Sequence, residues 1–258
     1  MRGKIGSHVG MMLSFLIFVT FIAFLYSVFQ PAIKIGEDKS SILESIQLKI
    51  IQNTSANLST ASVLIEPPTS DKKCVNLKLF FTLMLDVMPL SINGATVIVK
   101  NSLEEKQTAY NKNDIIHNII DSDLRIDRDL KEYTFFKIYY STKFEKLEDK
   151  TISCTSLENT ENPPKYTIGT VTSSKYMFEK DIVQLKDNYN LYYNKIKEDF
   201  NIPSGSEFWF SFTKSDGSSI APLQKETTSI NIFSEETPMQ YVDSDANIQS
   251  GFINIKVW

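Results

Sequence analysis

The sequence predicts an α+β protein: an N-terminal transmembrane helix continuing into an amphipathic helix, then a mostly antiparallel β-sheet domain with one long helix. Three observations carry this expectation. Residues 9–29 form an apolar run without a charged side chain. Between residues 75 and 258, short segments alternate apolar and polar residues, the period of a half-buried strand. Apolar residues from Phe178 to Phe200 recur at intervals of three and four, the period of a helix with one buried face.

The apolar run reads Val9 to Phe29, 21 residues. As a helix it measures about 30 Å, the thickness of a bilayer's hydrocarbon core. It is too long for the apolar part of a cleaved secretory signal, and no small-residue cleavage site follows. Ser14, Thr20 and Ser27 are tolerable because a hydroxyl can bond back to the preceding helical turn. Gly6 and Gly10 form a small-xxx-small step, read here as a flexible entry to the helix. Arg2 and Lys4 precede the run, while Lys34, Glu37, Asp38 and Lys39 beyond it nearly cancel. Positive flanks stay inside, which puts residues 1–8 in the cytoplasm, residues 9–29 across the cell membrane as a single pass, and the remainder outside.

Residues 30–66 read as an amphipathic helix and connector. Leu43, Ile46 and Ile50 share one helical face, flanked by Ile42 and Ile51, with Ser40, Glu44 and Lys49 on the others. Pro31 is a candidate bend, and Glu66-Pro67-Pro68 begins a polar, proline-broken link. Residues 67–258 form the extracytoplasmic domain. Val75 to Leu85 alternates throughout and predicts a strand, and Asn93-Gly94 predicts a hairpin turn before a strand at Ala95–Val99. Asn113 to Ile120 predicts a short helix. Tyr133–Tyr140 and Tyr166–Thr172 predict strands. In the long helix the predicted stripe is Phe178, Ile182, Leu185, Tyr189, Tyr192, Ile196 and Phe200, ended by Pro203. Strands follow at Glu207–Thr213, Thr228–Phe233, Met239–Val242 and Gly251–Trp258, with Asp216-Gly217 as a turn.

The chain is acidic, with a net charge of −4 over 258 residues. That argues against nucleic acid as a partner, because a phosphate backbone demands a basic stripe. Only two histidines occur, His8 at the membrane edge and His117 among isoleucines, so no Ser/His/Asp or Cys/His machinery is indicated. With two cysteines 80 residues apart, a zinc site is not indicated either. The acidic run Asp121, Asp123, Asp127 and Asp129 is interleaved with Arg125 and Arg128 and reads as a solvated face. Asp243, Asp245 and Asn247 have the opening spacing of a calcium loop. Ile248 and Asn254 stand where that loop needs Gly and Glu, so a turn is the better reading. The expectation is a non-enzymatic protein without a cofactor.

Cys74 and Cys154 are either a disulfide or two separate buried thiols. The polar neighbours Lys72, Lys73, Ser153 and Thr155 favour the bridge, and an extracytoplasmic site would preserve it. Asn53-Thr-Ser55 and Asn57-Leu-Ser59 are acceptor sequences for glycosylation, although a chain this rich in Asn, Ser and Thr yields as many by chance.

The leader Arg2-Gly3-Lys4-Ile5-Gly6, the span after it and the bend-prone Pro31 resemble the plan of archaeal pilin-like surface proteins, whose leader is a class III signal peptide. The resemblance covers about a fifth of the chain. It implies cleavage after Gly3, leaving Lys4 first, and contacts through the N-terminal helix with membrane lipid, with copies of itself or with other pilin-like proteins. Lys4 stands where that leader usually has Gln, and no acidic residue follows near the start of the mature helix. The expected role is a filament or assembly component. The alternative is a fixed anchor whose ectodomain binds a protein as an accessory factor of a secretion or envelope system, with Phe208, Trp209 and Phe210 as the expected docking patch.

Overall fold

A computed structural model describes residues 5–65, 74–84, 96–111, 123–127, 134–147, 154–159, 165–224 and 232–258. Gly3, Lys4, the Asn93-Gly94 turn, the 113–120 helix with His117, and most of the strand expected at 228–233 lie outside the described residues. The fold is α+β, as the sequence predicts: an N-terminal apolar helix, a large and mostly antiparallel sheet, and a long helix packed on it.

Helix α1 runs unbroken from Ile5 to Thr54, 50 residues, through Pro31. Between Gly10 and Val28 its mean hydropathy is 2.3 and none of it is buried, so it is long and apolar enough to cross a membrane. The Thr20 hydroxyl bonds back to the Leu16 and Ile17 carbonyls, which removes a bare polar group from that stretch. Further along, Leu43, Ile46 and Ile50 are buried while Leu48 remains 53 % exposed. At the end of α1, the buried Thr54 hydroxyl donates to the Ile50 carbonyl at 2.7 Å, and strand β1 (Ser55–Ile65) begins at the next residue.

That strand corrects the reading of 55–65 as part of a connector. β1 pairs antiparallel with β7 (Phe135–Tyr140) on one side and β9 (Tyr166–Phe178) on the other, in the middle of the large sheet. The remaining strands are β2 (Cys74–Leu77), β3 (Val97–Asn101), β4 (Lys106–Gln107), β5 (Ala109–Asn111), β6 (Leu124–Asp127), β8 (Thr155–Leu157), β10 (Phe208–Thr213), β11 (Ser219–Ile220), β12 (Phe233–Val242) and β13 (Ile248–Val257). The large sheet has the order β11-β10-β13-β12-β9-β1-β7-β3-β4, and a smaller sheet the order β5-β6-β2-β8.

The strand expected over 75–85 stops at Leu77. Leu79 takes a left-handed φ of 59°, its N–H donates to the Asp123 carboxylate, and a single helical turn, α2 (Phe80–Leu83), follows. Successive strand residues face opposite ways. Phe80 and Phe81 both enter the same core and meet edge to face, which a turn allows and a continued strand does not.

Among the described residues, three apolar cores hold the domain. One lies between the two sheets, where Ala61, Val63, Phe136 and Ile138 meet Val75, Leu77, Phe80 and Ile126. The second joins Ile46 and Ile50 of α1 and the stripe of helix α3 (Glu179–Asp199) to Phe208, Phe210, Phe212, Ile253 and Ile255. The third sits where Ile98 and Tyr139 meet Phe144, Phe178, Val242 and Ala246. In the second core Gly251 permits a close approach: a Cβ there would come within 2.7 Å of the Phe212 ring and of the Thr213 carbonyl.

The stripe of α3 differs at one position from the expected one. Tyr193, four residues after Tyr189, is buried, and Tyr192 departs from helical geometry (φ −134°, ψ 42°) and points outward. The acidic run is also corrected in its described part. β6 is an inner strand of the small sheet with Leu124, Arg125 and Ile126 buried, and Asp123 accepts from Asn76 Nδ2 at 2.8 Å. Its carboxylates serve as internal acceptors, which alternation of charge along the sequence does not reveal. The Cys74–Cys154 disulfide is formed, with Cα atoms 4.9 Å apart, and cross-links β2 to the start of its parallel neighbour β8.

Candidate functional site

Among the described residues one concavity is a groove of about 880 Å³. Its walls are β3 to β5, the 141–147 segment, the first turn of α3 and the β12–β13 turn. The floor is apolar: Val97, Ile98, Phe144, Phe178 and Val242. The Phe144 and Phe178 rings meet edge to face at 5.8 Å. Phe178 is the N-cap of α3 and makes no side-chain hydrogen bond, and the first turn carries the carboxylates of Glu179 and Asp181.

Charges of both signs ring this floor, and three of the lining residues, Lys106, Lys143 and Glu179, are ion-paired. Lys143 Nζ lies 2.8 Å from Asp181, a buried carboxylate in the first turn of α3. Glu179 pairs with Lys214 at 3.0 Å, and that bond raises the lysine's affinity for its proton. Lys106 reaches Asp245 at 3.0 Å. Among the described residues no group of three His, Cys, Asp or Glu side chains could hold a metal ion.

The calcium-like spacing of Asp243, Asp245 and Asn247 folds as a turn. One Asp243 oxygen accepts the N–H groups of Asp245 and Asn247, and the other accepts Asn247 Nδ2 and Gln249 Nε2. Asn247 in turn accepts from Lys100, an almost fully buried lysine on β3. Burial holds the Lys100 amine below its ordinary range, against the pull of Glu104, Asp243 and Asp245. Lys100 also lies over the Tyr139 ring at 5.3 Å. The sequence reading missed it. The available signal was parity, since Ile98 and Lys100 point to the same face of β3.

The expected aromatic docking patch is not a surface. Phe208 and Phe210 are buried in the second core. Trp209, on the opposite face, donates its Nε1–H to the Pro222 carbonyl at 3.1 Å and is covered by Lys256 at 5.0 Å. Asn53 and Asn57 are exposed, on the last turn of α1 and on β1, so both acceptor side chains are accessible.

No protein-family model, curated protein or solved structure matches the chain.

Proposed function

We propose that the chain is a non-enzymatic, single-pass envelope protein of pilin-like plan. In this reading its amino end lies in the cytoplasm, its span in the cell membrane and its α+β head outside, and it serves as a filament or assembly-associated component. One observation carries the reading: α1 is exposed and apolar over Gly10–Val28, buries Leu43, Ile46 and Ile50 in the head, and passes into β1 without a loop. The helix is continuous from the apolar stretch into the head. The same exposed face that suits lipid also suits packing against copies of itself. Arg2 and Lys4 before the span support the orientation. The Cys74–Cys154 bond supports an oxidising compartment for the head.

Mass spectrometry of the chain from its native membrane tests the assignment. A mature terminus at Lys4, together with dimers trapped by cysteines placed in the Phe15–Phe24 stretch, is the expected result. An intact Met1 with no helix-to-helix crosslink overturns the assembly role.

A second reading, a fixed anchor whose head binds a protein as an accessory factor of a secretion or envelope system, draws on a different observation. Leu191, Tyr192 and Leu223 are 71 %, 60 % and 78 % exposed, and the Leu223 N–H donates to Asn190 Oδ1, which holds the two segments together. This reading expects an uncut terminus and crosslinks from that patch to a partner.

A further inference from the structure

Three reactive groups converge where β3 meets the β12–β13 turn: the Lys100 amine, the Asn247 side-chain amide and the Asp243 carboxylate. Lys100 Nζ lies 2.5 Å from Asn247 Oδ1, and Asn247 Nδ2 donates to Asp243 Oδ2 at 2.8 Å. A C=O bond is about 1.23 Å long, so Nζ is no more than about 3.7 Å from the amide carbon. Atoms poised to react stand about 3–3.5 Å apart, so little movement separates this contact from an attack.

Both partners are held from behind. β3 is paired on one side with β7 and on the other with β4, and Lys100 is 2 % exposed, with its amine 5.3 Å from the centre of the Tyr139 ring. On the turn, Asp243 Oδ1 accepts the N–H groups of Asp245 and Asn247. Ala246 is buried with Ile98 and Tyr139 and takes a left-handed φ of 59°, which a non-glycine residue keeps only where its surroundings enforce it. A lysine in water is an ammonium and cannot attack a carbonyl. Here burial, with Lys137 adding to it, weakens the amine's hold on its proton and outweighs the pull of Glu104, Asp243 and Asp245.

We propose that Lys100 and Asn247 join in an intramolecular isopeptide bond, with Asp243 carrying the proton. The ammonium first yields one proton to solvent. The Nζ lone pair then attacks Cγ of Asn247, the Nζ–Cγ bond forms, and the carbonyl electron pair moves onto Oδ1. Asp243 takes the proton that Nζ loses on bonding and gives it to Nδ2. The Cγ–Nδ2 bond breaks, the carbonyl re-forms and ammonia leaves. Amine and amide become a new amide and ammonia, with no change of oxidation state and no co-reactant. Asn247 is exposed, so the ammonia escapes to water. The reaction occurs once per chain and turns over no substrate. Its product ties β3 to a turn 147 residues away and closes the large sheet, whereas the disulfide joins two strands of the small one. The bond forms within the head and rests on neither the span nor its assembly.

The full chain in detergent, reduced, alkylated and digested with trypsin, tests this by mass spectrometry. The bond blocks cleavage after Lys100 and yields a branched peptide of residues 79–106 joined to residues 226–256, lighter than the two together by one ammonia. That species, resistant to reductant, is the expected result. Complete cleavage after Lys100, with Asn247 recovered in an unbranched peptide of its own mass, overturns the proposal. Lys100→Arg is expected to abolish the branched peptide, and its persistence there overturns the assignment of Lys100. Asp243→Asn keeps an oxygen to close the turn and is expected to lower the joined fraction at least tenfold with circular dichroism unchanged. An undiminished fraction overturns the part given to Asp243. The unmutated chain decides the existence of the bond by itself, so no variant has to fold for the proposal to fail.

Discussion

Lys100 of β3 donates its ammonium to the side-chain carbonyl of Asn247, at the tip of the β12–β13 hairpin. Three strands separate β12 from β3 in the sheet order, yet the two groups touch, so the large sheet curls until its hairpin covers the far face. Val242 and Ala246 complete that contact by packing on Ile98 and Tyr139.

Removing the acceptor leaves the buried lysine unsatisfied. Asn247→Leu is expected to cost about 1–3 kcal/mol. Lys100→Met combined with Asn247→Leu is expected to recover most of that loss, because no charge then needs a partner. Urea unfolding of the four chains of the cycle reads the coupling, and strict additivity contradicts the contact.

The C-terminal part of α1 is held to the head by a few buried residues, Leu43, Ile46 and Ile50. Ile46→Ala or Ile50→Ala deletes fully buried methyl groups and is expected to cost about 2–4 kcal/mol. Leu48→Ala, on the exposed side, is expected to stay within about 0.5 kcal/mol. Equal effects at positions 46 and 48 in denaturant titration contradict the burial of this face.

The disulfide closes a long loop, with a sequence separation of 80. Chain-entropy reasoning assigns such a closure about 4 kcal/mol. Cys74→Ala/Cys154→Ala, or reduction, is expected to lower the unfolding midpoint of the head by several degrees or more. A midpoint unchanged by reductant, with both thiols shown to be free, argues that the loop is held by other contacts.

Alkaline pH is expected to destabilise the head. Burial, then Glu104, pushes the Tyr139 hydroxyl up to about 12, and burial raises Tyr166, Tyr189 and Tyr193 as well. A phenol with a raised folded value contributes stability that is complete below its unfolded value, about 10, and is lost as pH climbs through the folded value. Tyrosinate absorbance and circular dichroism followed together test this. Stability should hold to about pH 10 and decline above it, with Tyr139→Phe deleting the step near 12. Loss of fold well below pH 10 with these phenols still protonated contradicts the account.

By itself the sequence determined the features written in local periodicity. The uncharged apolar run forms a helix long and apolar enough to cross a membrane, and the 3–4 spacing of Ile182, Leu185 and Tyr189 builds a one-faced helix. Periodicity is a property of neighbours along the chain, so these elements were legible. Tertiary structure alone decided the rest. It put β1 in the middle of the sheet rather than in a link, turned the chain at Leu79 because Asp123 captures its N–H, buried Arg125 and Lys100, and closed the hairpin tip over β3. Each of these turns on groups more than 40 residues apart meeting in a place where water is excluded. There a hydrogen bond or ion pair outweighs local preference, and no window of sequence displays which distant group will arrive.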